Sequence, residues 1–350
     1  MNYTNCGDFK TSYEKDAEIY SSLFSKVSIY TFIVALFIIP FFLDDYYLYL
    51  FNLIFIAIIG ATGLNILTGI TGLISLGQGA FIGVGAYAAG YISNQYGLNF
   101  LIVIPLSGFV AAMVGMVFGI PSLRLKGLYL SIATLAAQFI LEFVFIRAES
   151  ITGGVIGLSL DYATFFNISL DSDFKFYFLG LIMTIILVIA AKNIIRTKTG
   201  RAFLSVRDNY IAAEAMGINI FKYKIISFGV SSFYAGVAGA LWAYYLTIIT
   251  PEHFNIGVSI QYLSMIIIGG LGKLLGSIFG AVFIILLPEV LRSATDLFAS
   301  SYPFLTQAFA AIREGAFGLV IILFLLFEPE GLVRRWNLIK AYFKLWPFSY

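Results

Sequence analysis

From Val27 to Phe327 the chain is built of apolar runs long enough to cross a bilayer, joined by short polar connectors. A hydrocarbon core about 30 Å thick takes about 20 apolar helical residues. Inside it, every backbone N–H and C=O must find a partner within the protein, which leaves helices and closed barrels as the only spanning structures. Barrel strands read as short alternating segments, whereas the runs here are continuous. The chain is therefore read as an all-α, polytopic integral membrane protein. Composition agrees: charged residues make up 11% of the 350, against about 25% in soluble domains, and the mean hydropathy is +0.93.

Spans are expected near residues 27–43, 47–67, 73–92, 100–120, 128–146, 174–191 and 225–249, with a last one near 316–327. The stretch 259–288 reads as a glycine-broken hairpin. Its apolar pieces, 259–268 and 275–287, flank Gly269, Gly270, Gly272 and Lys273, and neither comfortably spans alone. Such interrupted segments form paired half-helices in transporters. The total is about eight to ten transmembrane helices in a single transmembrane domain, residues 27–327. A cytoplasmic N-terminal segment, 1–26, precedes it and a cytoplasmic tail, 328–350, follows it; the tail carries Arg334, Arg335, Lys340 and Lys344. Lys and Arg concentrate on the cytoplasmic side of membrane proteins, which orients the whole chain.

That rule bears most strongly on the connector 192–224. It holds Lys192, Arg196, Lys198, Arg201, Arg207, Lys222 and Lys224 against only Asp208 and Glu214, and is placed in the cytoplasm. From Arg201 to Met216 it has neither Gly nor Pro, and Ala202, Val206, Ala213 and Gly217 recur at helical spacing. The pattern predicts one short helix stopped by Gly217. With Ile211, Ala212, Ala213 and Met216 outward, it suits a groove on another protein, because small residues let backbones approach closely. The other reading is a solvated loop that only orients the protein.

A second unusual stretch runs from Gly60 to Gly90, dense in glycine and carrying Asn65, Thr68, Thr71, Ser75 and Gln78. Small residues permit close helix packing in lipid, and polar groups at this depth face protein or a water-filled cavity. A packed core and a wall of a translocation path both fit. Asn65, Thr68, Ser75 and Gln78 are the candidates for such a path.

Several chemistries are missing from the sequence. Cys6 is the only cysteine and His253 the only histidine, so zinc sites built of several His and Cys residues are excluded, and no metal ligands are assigned. His253, in an outer turn, is read as a solvated loop residue. No GxxxxGK[ST] loop occurs, so the chain does not cradle and hydrolyse nucleotide by itself. No HExxH motif or convergent catalytic set appears, so no catalytic residues are assigned. The net charge of +2 with scattered basic residues argues against nucleic acid. An ion-coupled secondary carrier needs acids inside its spans, and only Glu142 and Glu289 lie near such positions.

The blocks GLNILTGITGLISLGQGAFIGVGAYAAG, PSLRLKGLYLSIATLA, ITGGVIGL, GRAFLSVRDNYIAAEAMGINIFKYKIISFGVSSFYAGVAGALWAYY, TPEHF, GGLGKLLGSIFGA and FEPEGL occur in this order. Together they resemble the LivM-type permeases of branched-chain amino acid ABC importers, over roughly residues 47–335. The resemblance implies a transport subunit in a bacterial or archaeal plasma membrane. It implies a second, LivH-like permease, two ABC ATPase subunits that bind ATP and Mg, and a periplasmic or extracellular solute-binding protein as partners, with lipid around the body and no cofactor in this chain. The solute it implies is a branched-chain or other hydrophobic amino acid; similar permeases import urea or short amides. The resemblance also implies an ATPase-coupling role for the connector. Ala212, Ala213 and Gly217 fall on an EAAxxxG-like pattern, flanked by Arg207 and Glu214, with Ile211 where that pattern has glutamate and no ILP element downstream.

Overall fold

The computed structural model describes residues 23–122, 127–165, 168–299, 309–328 and 330–345. Most of the N-terminal segment, including Cys6, and the basic pair Arg124 and Lys126 lie outside the described residues. The chain divides into two compact units, residues 1–49 and 50–350. In the first, α1 (Leu23–Ile38) runs into a 3-10 turn at Ile39–Phe41, where Pro40 sits in the first turn, a position that needs no N–H. The Asp44 carbonyl then accepts from the N–H groups of Tyr47 and Leu48 at 3.0 and 3.2 Å, opening α2 (Asp45–Leu64).

In the second unit, α2 is buried almost throughout from Leu50 onward, so protein rather than lipid surrounds that part. It does not end at Leu64 but loosens into a π-helical stretch, Asn65–Ile70. Residues 71–77 are non-helical, and α3 (Gln78–Tyr96) begins only after them. This corrects the expected third span, which was to start near Leu73. The break persists because side chains from elsewhere satisfy its backbone. Thr134 Oγ1 accepts from the Leu76 N–H at 2.9 Å. The first turn of α3 has no cap of its own at Gly77. Instead Ser259 Oγ accepts from the Gly79 N–H at 2.7 Å and Gln138 Oε1 from the Ala80 N–H at 2.8 Å. Irregular backbone at membrane depth is tolerated only when paired in this way.

Beyond α3 come α4 (Phe100–Ser122), α5 (Leu128–Arg147) and the single turn α6 (Glu149–Thr152). The following outer segment holds β1 (Leu158–Ser159) and the hairpin β2 (Thr164–Phe165) with β3 (Ile168–Ser169). Next are α7 (Asp173–Arg196), α8 (Lys198–Asp208), α9 (Tyr210–Ala215) and α10 (Ile220–Leu246). Strand β4 (Ile248–Ile249) pairs antiparallel with β1, tying the outer segment to the end of α10.

Helix α10 is the hub and packs along α3 and α4. The approach is set by glycine: a Cβ built on Gly85 would enter the backbone of Gly236, and one on Gly239 would enter the Ile82 carbonyl. In lipid, where hydrophobic burial does not drive helices together, such backbone-to-backbone packing supplies the dispersion contacts.

The glycine-broken hairpin expected at 259–288 is present, and only the length of one arm is corrected. Its first arm, α11 (Ile256–Gly269), is short, but its second, α12 (Leu274–Ala299), continues through Pro288 as a full-length helix. After it come α13 (Phe309–Phe327) and the tail helix α14 (Leu332–Leu345). Six helices among the described residues are long and apolar enough to span a membrane. Helix α3 is not one of them, because its glycines and polar residues lower its hydropathy, yet it sits in the core. The protein is an all-α polytopic membrane protein.

Candidate functional site

The connector after α7 folds as two helices, not one. Asn209, with extended backbone, ends α8 and caps α9: its Oδ1 accepts from the N–H groups of Ile211 and Ala212, both at 3.1 Å. Asparagine is among the strongest N-caps because its side chain satisfies donors that an uninterrupted helix would bond to its own carbonyls. The single helix expected over Arg201–Met216 is corrected accordingly. Asp-Asn in the middle of that pattern was the available signal.

Gly217 terminates α9 as the sequence predicts. Its φ is +82°, a left-handed conformation open to glycine at little cost. The N–H of Gly217 donates to the Glu214 carbonyl at 2.9 Å and that of Ile218 to the Ala213 carbonyl at 3.0 Å, closing the helix end.

The exposed face of α9 differs from the expected one. Ala213 is only 3% exposed and packs inward, whereas Ile211 and Met216 are 64% and 84% exposed. Ala212 and Glu214 are also exposed. Two large apolar side chains are thus held outward on this short helix.

Arg207, in the last turn of α8, connects this helix pair to the membrane body. Its Nη1 donates to the Gly69 carbonyl in the π-helical stretch at 3.0 Å, and Nε and Nη2 both donate to Asp208 Oδ1 at 3.0 Å. Its aliphatic stem lies over Gly72, where a Cβ would come within 2.7 Å of Arg207 Cγ. π-Helical turns lower the local hydrogen-bond regularity and occur at functional bends. Arg207 thus holds the one irregular turn of the most buried helix.

On the far side of that turn, Asn65 is fully buried and bonded three times. Its Nδ2 donates to the Lys273 carbonyl and to Ser277 Oγ, both at 2.9 Å, and its Oδ1 accepts from the Gly272 N–H at 2.8 Å. The turn 270–273 is in this way pinned to α2. It also meets the tail: Lys273 Nζ lies 3.9 Å from Glu330 Oε2, and Arg334 Nη1 3.6 Å from Glu330 Oε1. Exposed pairs of this kind are worth about 0–1 kcal/mol each, so Asn65, not the ion pairs, is what fixes the turn.

The other candidate path residues lie in the same broken segment, and each is buried. Thr68 Oγ1 donates to the Leu73 carbonyl at 3.1 Å, Ser75 Oγ accepts from the Gly77 N–H at 3.3 Å, and Gln78 Nε2 donates to the Gly60 carbonyl at 2.9 Å. Gln138, not among the candidates, emerges as central: besides Ala80 it accepts from Ser259 Oγ at 2.9 Å and donates to the Phe254 carbonyl at 2.6 Å. A lone glutamine in an apolar helix is its only trace in the sequence.

Thus a helix pair on the basic side presents an apolar face outward while its arginine grips a broken, buried transmembrane helix. Arg207 in this way ties the helix pair to the membrane body. Known proteins of similar sequence identify the family. The LivM permease protein of the high-affinity branched-chain amino acid transport system of Salmonella typhimurium is 28% identical over 302 residues, 79% of this chain and 68% of that protein. Its Escherichia coli counterpart is 28% identical over 306 residues, 81% and 68% of the two chains. A probable LivM permease of Methanocaldococcus jannaschii is 24% identical over 265 residues, 73% and 76%. No solved structure matches significantly. The family model for the branched-chain amino acid transport system permease component matches residues 46–326, about four-fifths of the chain. The chain therefore belongs to the family of branched-chain amino acid transport system permease components.

Proposed function

We propose that this chain is one permease subunit of an ATP-binding cassette importer in the plasma membrane, moving branched-chain amino acids released by a solute-binding protein. In this reading a LivH-like permease completes the membrane body, and two ATPase subunits bind ATP and Mg and supply the work. The outer segment, 147–173, and the turn 250–257 face the binding protein. The observation that carries the reading is the pairing of exposed Ile211 and Met216 on α9 with the Arg207 bond to Gly69. Closure of the ATPases displaces α9, and Arg207 transmits that displacement to the π-helical stretch, whose two arrangements open the path to either side. Asn65, Thr68, Ser75 and Gln78 belong to the segment that changes. The subunit itself performs no catalysis.

Two sets of variants separate docking from transmission. Ile211→Asp combined with Met216→Asp alters only exposed positions, so the chain inserts normally. Losing two apolar contacts at an interface core is worth about 1–2 kcal/mol, and ATPase association, read by co-purification, should weaken about tenfold. Arg207→Ala leaves that face intact. It removes a charged hydrogen bond of about 1.5–3 kcal/mol, and is expected to lower solute moved per ATP hydrolysed about tenfold in proteoliposomes while the ATPases stay bound. Unchanged association in the first variant, or full coupling in the second, counts against the reading.

A further inference from the structure

A cleft of about 130 Å³ lies between α2, α3, α10, α11 and α12, on the side of the outer turn at Pro251–Phe254. Its walls are aliphatic: Ile56, Ile82, Met265 and Ile285 each come from a different helix. Besides His253, the polar lining residues are Trp242, Gln261 and Tyr262. Among the described residues, the Trp242 indole N–H, the Gln261 amide and the Tyr262 hydroxyl make no hydrogen bond. Tyr262 is otherwise buried, with its ring against Gly60. At the outer mouth His253 stacks edge-on to Trp242 at 4.6 Å, and its Nδ1 is engaged with Thr250 Oγ1 at 3.0 Å, leaving Nε2. Burial of the ring lowers the His253 pKa against a smaller opposing effect of Glu252, which favours the uncharged imidazole. Apart from His253, no acidic or basic side chain lines the cleft.

Polar groups in an apolar recess are ordinarily paired. A set left open and converging on one cavity is the usual form of a small-molecule site. We propose that this cleft is a solute site within the permease, taking a small zwitterion with a branched aliphatic side chain. The side chain lies against Ile56, Ile82, Met265 and Ile285; the indole N–H, phenol and amide N–H groups donate to the carboxylate, and the Gln261 carbonyl accepts from the ammonium. An apolar cavity of roughly 150 Å³ holds a six-carbon ring, so this one accepts the four carbons of a leucine or isoleucine side chain. Without a formal charge on its wall, the cleft leaves solutes with charged side chains unpaired and excludes them. The assignment rests on the import reading above and adds to it a place.

The test uses the complete transporter with its ATPases and binding protein in proteoliposomes. Gln261→Leu combined with Tyr262→Phe keeps volume and removes two of the three polar groups, leaving the Trp242 indole; it should raise KM for leucine about tenfold with ATPase association unchanged. Separately, Cys6→Ser with Val258→Cys places a single thiol on the cleft wall. Its modification by a small methanethiosulfonate should slow severalfold with saturating leucine or isoleucine and not with glutamate or lysine. Unchanged KM together with no protection, in a transporter that imports leucine, overturns the cleft assignment alone. A wild-type transporter that imports none of leucine, isoleucine or valine overturns the functional reading and this site with it.

Discussion

Gly236→Leu is expected to yield no folded protein. At this position α10 lies so close to α4 that even one added carbon would stand 2.5 Å from Ala111 Cβ, 2.9 Å from the Ser107 carbonyl and 3.0 Å from Gly108 Cα. Overpacking that side chains can relieve costs about 1–3 kcal/mol. Here two of the three obstacles are backbone atoms, which no rotamer change moves, and Gly236 also receives Gly85 of α3 on its other side. Separating three core helices to admit a leucine forfeits contacts along all of them, a loss on the scale of a domain's whole stability of about 5–15 kcal/mol. The measurement is the monodisperse fraction after detergent extraction. Gly236→Ala should show a partial loss, and a leucine variant as well behaved as the wild type would show that the helices do not cross where described.

Asn65→Leu should be the most damaging substitution of a single polar side chain. The leucine is close in size, so the change is chemical. It strips partners from the Gly272 N–H, the Lys273 carbonyl and the Ser277 hydroxyl at once. Each buried group left unpaired costs about 1–3 kcal/mol, and together they are worth on the order of 3–6 kcal/mol. The expected reading is a fall in Tm of about 10 °C in detergent, with the turn 270–273 becoming open to proteolysis. Thr68→Val, which removes one bond to Leu73, is the control with a small effect. Equal stability of the Leu and Val variants would remove Asn65 from its role at the turn.

Several elements were legible in the residues alone. The runs at 100–120, 128–146 and 225–249 correspond to α4, α5 and α10 within a few residues, because hydropathy is a local property and lipid imposes helix on any long apolar run. Gly217 was readable as a helix stop because a positive φ at a helix end selects glycine. The misreadings share one cause. Leu73 and Val206 sit in equally regular patterns, yet residues 71–77 are non-helical while 198–208 are helical, and what separates them is Thr134, Gln138 and Ser259, far away in the chain. Likewise Ala213 and Ile211 are neighbours on α9, and only packing against the rest of the protein assigns one inward and the other outward.

From residue order alone came the class of protein, its family and the position of the basic connector, all of which follow from hydrophobicity, charge and short-range pattern. The break between α2 and α3, the grip of Arg207 on Gly69 and the recess beside Trp242 became visible only once the helices were assembled. Each is made of groups contributed by segments 50 to 200 residues or so apart, and hydrogen bonding at such separations leaves no periodic mark along the chain.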